Sequence, residues 1–298
     1  MGNHDHHHHN HSHGDTKNLT FAFWINTLFA ILELIGGLYI NSVAILSDSL
    51  HDFGDSLSLG LAYYFHKKST KKRDKHFSYG YKRFSLLGAF INSIVLIIGS
   101  ILIIRESIER VLQPEEADAK GMFIIAVVGI VVNTIAMLRL RKGSSINERV
   151  VSLHFIEDIL GWVAVLIGSV VMLLIDLPIL DPILSLLIAL FILFNVYKNL
   201  RQVFQIILQG IPENVNLEEI KKKILSIPHV LGIHDVHTWS MDGEYNIMSI
   251  HLVLADKTPI EEVEKIKNEV RHVTEHLNIQ HITIEPEFEN QACALEEC

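Results

Sequence analysis

Cysteine is nearly absent: the 298-residue chain has two, Cys293 and Cys298, both within its last six positions. No disulfide framework is implied by such a pair. The N-terminus also lacks the basic start and small-residue cleavage site of a signal peptide. Its first 17 residues are instead polar and rich in histidine. No internal repeat and no H-E-x-x-H zinc-protease signature occur. Missing too is any Lys or Arg in "SVAILSDSLHDFGDSLSLGLAYYF" (Ser42–Phe65), although this oily run holds Asp48, His51, Asp52 and Asp55. An ionised group near a bilayer centre costs at least ~2.5–3.5 kcal/mol, so three acids without cationic partners need a functional reason.

What is abundant is oil. Hydrophobic residues make up 49% of the chain, and the mean hydropathy is +0.30. Besides Ser42–Phe65, apolar runs cover Phe21–Ile40, Leu86–Ile104, Met122–Leu138, Ile159–Ile175 and Ile183–Val196. About 20 apolar residues cross the hydrocarbon of a bilayer, so six transmembrane helices are expected. Lys and Arg fall in alternate loops: eight in His66–Arg83, then Arg139, Arg141, Lys142 and Arg149, then Lys198 and Arg201. The intervening loops are short or acidic. That alternation predicts a multi-pass protein of the cell membrane with both termini cytoplasmic.

From about Gly210 the pattern becomes that of a water-soluble domain. Two amphipathic helical stretches, "NLEEIKKKILSI" and "TPIEEVEKIKNEVRHVTEHL", alternate with three runs of strand character. The order αββαβ predicts a small cytosolic α+β domain of ferredoxin-like type, with helices on one face of a three-stranded sheet. The expected division is a His-rich tail (1–17), a six-helix membrane domain (18–209), the α+β domain (210–288) and a Cys-containing tail (289–298).

Residues four apart share a helix face. His51 and Asp55 are so spaced, with Asp48 and Asp52 inside the same arc of about 100°. The run "SLHFIEDILGW" repeats the device with His154 and Asp158, beside Glu157. Two helices each presenting a His and an Asp can enclose one cation with two imidazoles and two carboxylates. Zn²⁺ takes such nitrogen and oxygen ligands in a tetrahedron, and the two carboxylates neutralise its charge. Imidazole also suits Co²⁺ and Ni²⁺, whereas Mn²⁺ and Mg²⁺ prefer oxygen. The plainer alternative is a watery vestibule, or protonated acids bonding the helices together. Asp48, Asp52 and Glu157 are read as groups lining a vestibule or supporting the ligands from behind. The N-terminal histidines, at 4, 6, 7, 8, 9, 11 and 13, form a loose metal-binding tract on composition.

Taken together, six spans, H-x-x-x-D in the second and fifth, "NSVAILSDSLHD", "SYGYKRFSLLGAFINS", the His-rich segment and the terminal αββαβ domain resemble the cation diffusion facilitator family of zinc transporters. The resemblance extends over nearly the whole chain. It implies a homodimer exporting Zn²⁺ from the cytosol against inward proton flow, with His51, Asp55, His154 and Asp158 as transport-site ligands. In the soluble domain it implies a cytosolic metal site at His234 and His251, with Glu285 near a position that family often fills with His or Asp. Tail cysteines serve as ligands in some members. Two departures stand out: Phe77 and Tyr81 occupy places where some relatives have histidines, and Gln209 stands where some have an acid able to pair with a residue such as Arg83. The resemblance implies a transporter rather than an enzyme, with metal ions, protons and a second copy as partners and no nucleic acid. A membrane-embedded zinc metalloenzyme is one alternative. However, catalytic zinc keeps three protein ligands and an open position, which two equal pairs do not match. A membrane-anchored metal sensor is the other, and anchoring alone does not explain acids on two spans.

Overall fold

A computed structural model describes residues 13–141, 146–175 and 177–290. The histidines at 4–11, Lys142, Cys293 and Cys298 lie outside these residues. The chain divides into two compact units, Met1–Tyr63 with Ile91–Lys198, and Tyr64–Phe90 with Asn199–Cys298.

Six long helices come first in the chain: α1 (His13–Tyr39), α2 (Val43–Ser69), α3 (Phe84–Leu112), α4 (Ala119–Leu140), α5 (Ile146–Ile175) and α6 (Leu180–Ile207). Five of them contain segments long and apolar enough to cross a membrane: Thr20–Tyr39, Phe84–Leu112, Ala119–Leu140, Val151–Ile175 and Leu180–Ile207. The sequence reading expected six. At 27 residues α2 has the length, but its aspartates and serines dilute the apolar character that marks the others.

In the first unit, α4 turns a stripe of Met122, Ala126, Gly129, Asn133, Ala136 and Leu140 inward at spacings of three and four. Small residues here let two backbones approach, the usual route to close packing between apolar helices in lipid. At Gly129 the approach is extreme: a Cβ would lie 2.5 Å from Cδ2 of Trp162 on α5. Trp162 is fully buried, and Phe29 of α1 meets its ring edge-on at 5.6 Å. The outward faces stay apolar and exposed, as at Leu28, Ile35, Leu102 and Leu174. Asn41, at the α1–α2 turn, has φ +57, a left-handed conformation that Asn tolerates. Arg110 holds that turn, donating to the Asn41 carbonyl and to its Oδ1, each at 2.8 Å.

The second unit contains α7 (Leu217–Leu225), β1 (Val230–Ser240), β2 (Asn246–Leu254), α8 (Ile260–Glu275) and β3 (His281–Phe288). Asn216 caps α7 by accepting from the Glu219 amide. Glu218 and Glu219 then sit in its first turn and Lys222 and Lys223 in its last, a charge order that suits the helix dipole. The sheet order is β1-β2-β3, with β1–β2 antiparallel and β2–β3 parallel. Because side chains alternate along a strand, Met248, Ile250, Leu252 and Leu254 of β2 enter one core with Ile220, Ile224, Val263, Ile266 and Val270 of the helices. The opposite face of the same strands carries His251, Glu285 and Glu287.

The segment before α3 is ordered by side chains. Asp74 accepts from the amides of His76 and Phe77 and from the Tyr81 hydroxyl, the last at 2.7 Å. Those bonds hold the Asp74 carboxyl below its ordinary range, led by the Tyr81 contact, and raise the Tyr81 phenol. The rings of Phe77, Tyr81 and Phe84 pack on one another at 4.6–5.7 Å. Next to them the Lys82 ammonium lies 3.6 Å from Asp242 and over the Tyr245 ring.

Candidate metal centres

The α2–α5 pairs meet as their spacing requires. His154 Nε2 lies 2.8 Å from Asp55 Oδ2 and 3.6 Å from Asp158 Oδ2. His51 Nε2 lies 3.7 Å from Asp55 Oδ2, and the two imidazole rings face edge-to-face at 5.8 Å. One donor atom each from His51, Asp55 and His154 falls within 4.8 Å of the others. Asp158 is not among these three; it adjoins them through His154. Asp55 Oδ2 and His154 Nε2 pair with each other, whereas Asp158 Oδ2 is buried with no hydrogen-bond partner. Buried polar atoms are normally bonded, so an unbonded acceptor beside a His–Asp pair is what a cation would satisfy.

The surrounding acids separate by position. Asp48 and Glu157 line a cavity of about 490 Å³ together with His51 and Asp158, walled on its far side by α6. Asp52 does not line it. It is 1% exposed, its backbone carbonyl accepts from Asn26 of α1, and its Oδ2 has no partner. Beside it on α1, Thr27 donates to Ser56 of α2 at 3.0 Å. Glu33 is fully buried with both oxygens unbonded. In sequence it looked like one polar interruption of an apolar run. Only its place seven residues after Asn26 and four after Phe29 could have put it on the inner face.

The sheet domain holds a second cluster. His234 on β1 pairs directly with His251 on β2, with ring centroids 5.0 Å apart. Glu287 on β3 reaches both, at 2.6 Å from His251 Nδ1 and 2.9 Å from His234 Nε2. These three place donor atoms within 4.8 Å of one another. Two imidazoles and a carboxylate in that spacing fit a divalent ion. Glu285 sits at the rim, 68% exposed and 3.6 Å from His251 Nε2. Glu287 is the acid drawn inward. Strand alternation alone could not choose between them, because residues two apart face the same side. A β-bulge between His234 and His237 interrupts the β1 register, with Asp235 at φ +47. A bulge re-aims side chains, and here Asp235 contacts His237 at 2.7 Å and His251 Nε2 at 3.4 Å. A carboxylate on the far nitrogen of a ligating histidine fixes its ring and tautomer. His281, on the same strand as Glu287, meets Tyr79 edge-on instead.

Comparison with known proteins gives the family. Residues 19–208 match the family model of the cation efflux transmembrane domain, and residues 212–289 that of the cation efflux protein cytoplasmic domain. The chain is 35% identical to a cadmium, cobalt and zinc/H(+)-K(+) antiporter of Bacillus subtilis, over 92% of this chain and 89% of that protein. It is 33% identical to the zinc transporter ZitB of Yersinia pseudotuberculosis, over 95% and 91%. It is 30% identical to the metal cation efflux system protein CzcD of Cupriavidus metallidurans, over 94% and 88%. Matches of this extent, over both the helical and the sheet portions, make the chain a multi-pass membrane transporter and a member of the cation diffusion facilitator family.

Proposed function

We propose that the protein exports divalent metal, zinc foremost, from the cytosol in exchange for protons. The observation that carries this reading is the convergence of His51, Asp55 and His154, with Asp158 adjoining, from two helices into one half-buried cluster. In this reading α2 is the sixth crossing, since its acids are ligands rather than evidence against insertion. Metal binding needs neutral imidazoles and ionised carboxylates, so entry of metal releases protons. Imidazole titrates near neutral pH. A cavity opening alternately to each side would therefore exchange metal for protons at the same four side chains. The names of the relatives carry cadmium and cobalt beside zinc. Two nitrogen and two oxygen ligands favour borderline ions of this kind over Mg²⁺.

The same reading puts both termini in the cytoplasm and makes the protein a homodimer. Its sheet domain holds a resident ion at His234, His251 and Glu287, with Glu285 at the rim and Asp235 orienting His251. That ion would cross-link all three strands. The expected organisation is the His-rich tail to 17, the membrane domain 18–209, the cytosolic domain 210–288 and the tail 289–298.

Zinc flux into sealed proteoliposomes under an imposed pH gradient tests the transport site. Flux should require the gradient. Asp55→Ala and Asp158→Ala should each lower it by more than ~10-fold, since even groups that merely support a ligand are worth that much. Parent-like flux in both variants would place the pathway elsewhere.

A further inference from the structure

Asp181 has no part in the ligand set, yet it is one of the most buried acids in the chain, at 1% exposure. It lies in the first turn of α6. Its Oδ1 accepts from the Ser42 hydroxyl at 2.5 Å and the Ala44 amide at 3.2 Å, and its Oδ2 from the Val43 amide at 2.8 Å. Ser42, Val43 and Ala44 are themselves fully buried. The start of α2 already has a local cap, because Ser42 Oγ accepts from the Ile45 amide. The carboxylate 139 residues away supplies what a local cap cannot, a fixed attachment to another helix.

Two helix N-termini meet at this carboxylate. Each carries about half a positive charge; the acid bonds the amides starting α2, and its place in the first turn of α6 suits that helix's dipole. From that point α2 and α6 start together. Some six to nine residues further along α2 come Asp48 and His51; three to eleven residues along α6 come Leu184, Leu187, Ile188, Phe191 and Ile192. These residues line the same cavity of about 490 Å³, which also reaches Asp158. The helix bearing half of the ligands and the helix walling the approach to them are pinned at their common origin.

We infer that Asp181 is a positioning residue for transport: its clamp on Ser42–Ala44 sets the separation of α2 and α6, and with it the width of the cavity through which metal reaches His51 and Asp158. The inference rests on the transport site proposed above. Asn at 181 keeps the size but turns an NH₂ donor toward an amide donor, so the clamp opens on one side without leaving a void.

The test uses full-length protein in proteoliposomes, in a Cys293→Ser, Cys298→Ser, Leu187→Cys background that puts a thiol on the cavity wall. Asp181→Asn should raise the KM for zinc roughly tenfold, the lower end of what losing a supporting group costs at a metal site, while the maximal rate changes less. It should also speed labelling of the thiol at 187 by a charged reagent several-fold, a readout that a loss of stability alone would not give in the folded fraction. Ser42→Ala removes one bond of three and should shift both readouts in the same direction by less. Parent KM and parent labelling in Asp181→Asn overturn the inference. If that variant does not fold, the same outcome in Ser42→Ala overturns it. Asp55→Ala separates the two levels: parent-like uptake there sinks the proposed transport site, whereas the labelling rates at 187 still report on the clamp.

Discussion

Two carboxylates on β3, Glu285 and Glu287, face the same side and carry the same charge, yet they differ in burial. Only the register against β2, which sets His251 opposite Glu285, and the depth of the sheet face decide which acid is enclosed. That is why the soluble cluster was half legible. His234 and His251 stood out in strand-like runs, but the inner acid depends on packing that no local spacing encodes. In the α2–α5 cluster, His51, Asp55 and His154 come together as their spacing suggests, since an i, i+4 His–Asp pair is fixed by helix geometry alone. A prediction belongs here. In an Asp55→Ala background, which removes a transport-site ligand, Glu287→Ala should release the metal that remains bound to purified protein, as measured by elemental analysis. Glu285→Ala should weaken binding modestly, within about 10-fold. Equal loss from both would mean that the rim acid is a ligand in its own right.

At the scale of elements, two contacts invite substitution. The α4–α5 crossing depends on a missing side chain at Gly129. Gly129→Leu should separate the helices or displace Trp162, costing at least ~1–3 kcal/mol as overpacking does. A fall in the melting temperature of detergent-solubilised protein reads it, and an unchanged value would mean that the crossing has slack. The second contact is the Asp74 clasp. Its carboxyl titrates lower in the folded loop than in the unfolded chain. Its contribution is therefore complete above the ordinary carboxylate range and is lost as pH falls through the lowered value. Proteolysis within residues 70–83 should accelerate only in acid, and Tyr81→Phe should bring that acceleration to higher pH. The resemblance directed attention to missing histidines at 77 and 81. What fills the gap, an aromatic cluster under one hydrogen-bonded acid, follows from neighbours brought together by the turn and was not readable from the pattern.

For the whole molecule, the change from an apolar to an alternating pattern near Gly210 divided helical from sheet-forming sequence, because the two periods, 3.6 and 2, are set by backbone geometry. Span counting was less secure for a physical reason: the groups that suit α2 to metal also lower its hydropathy. Under the proposed exchange, proton competition belongs to the full transporter and has a definite sign. Lowering pH on the loading side should weaken apparent zinc affinity, and raising it should strengthen affinity until the ligands are fully deprotonated. An affinity flat across neutral pH would speak against exchange at imidazoles. Deleting residues 1–14 should lower uptake at limiting zinc and leave the saturated rate near the parent value. Loss at every zinc concentration would give the tail a different role.

The Ser42–Asp181 contact also bears on how the protein is made. Its donors and acceptor are 139 residues apart in the chain. At ribosomal speeds of about 5–20 residues per second, α2 waits on the order of ten seconds for the carboxylate that finishes its first turn. Throughout that interval the nascent chain carries Asp48, Asp52 and Asp55 on a helix whose start lacks its distant anchor, although Asn26, Thr27 and, once α5 is made, His154 hold its later turns. A polypeptide truncated ahead of α6 would keep that unfinished helix indefinitely, giving membrane quality control a feature by which to tell partial products from complete ones.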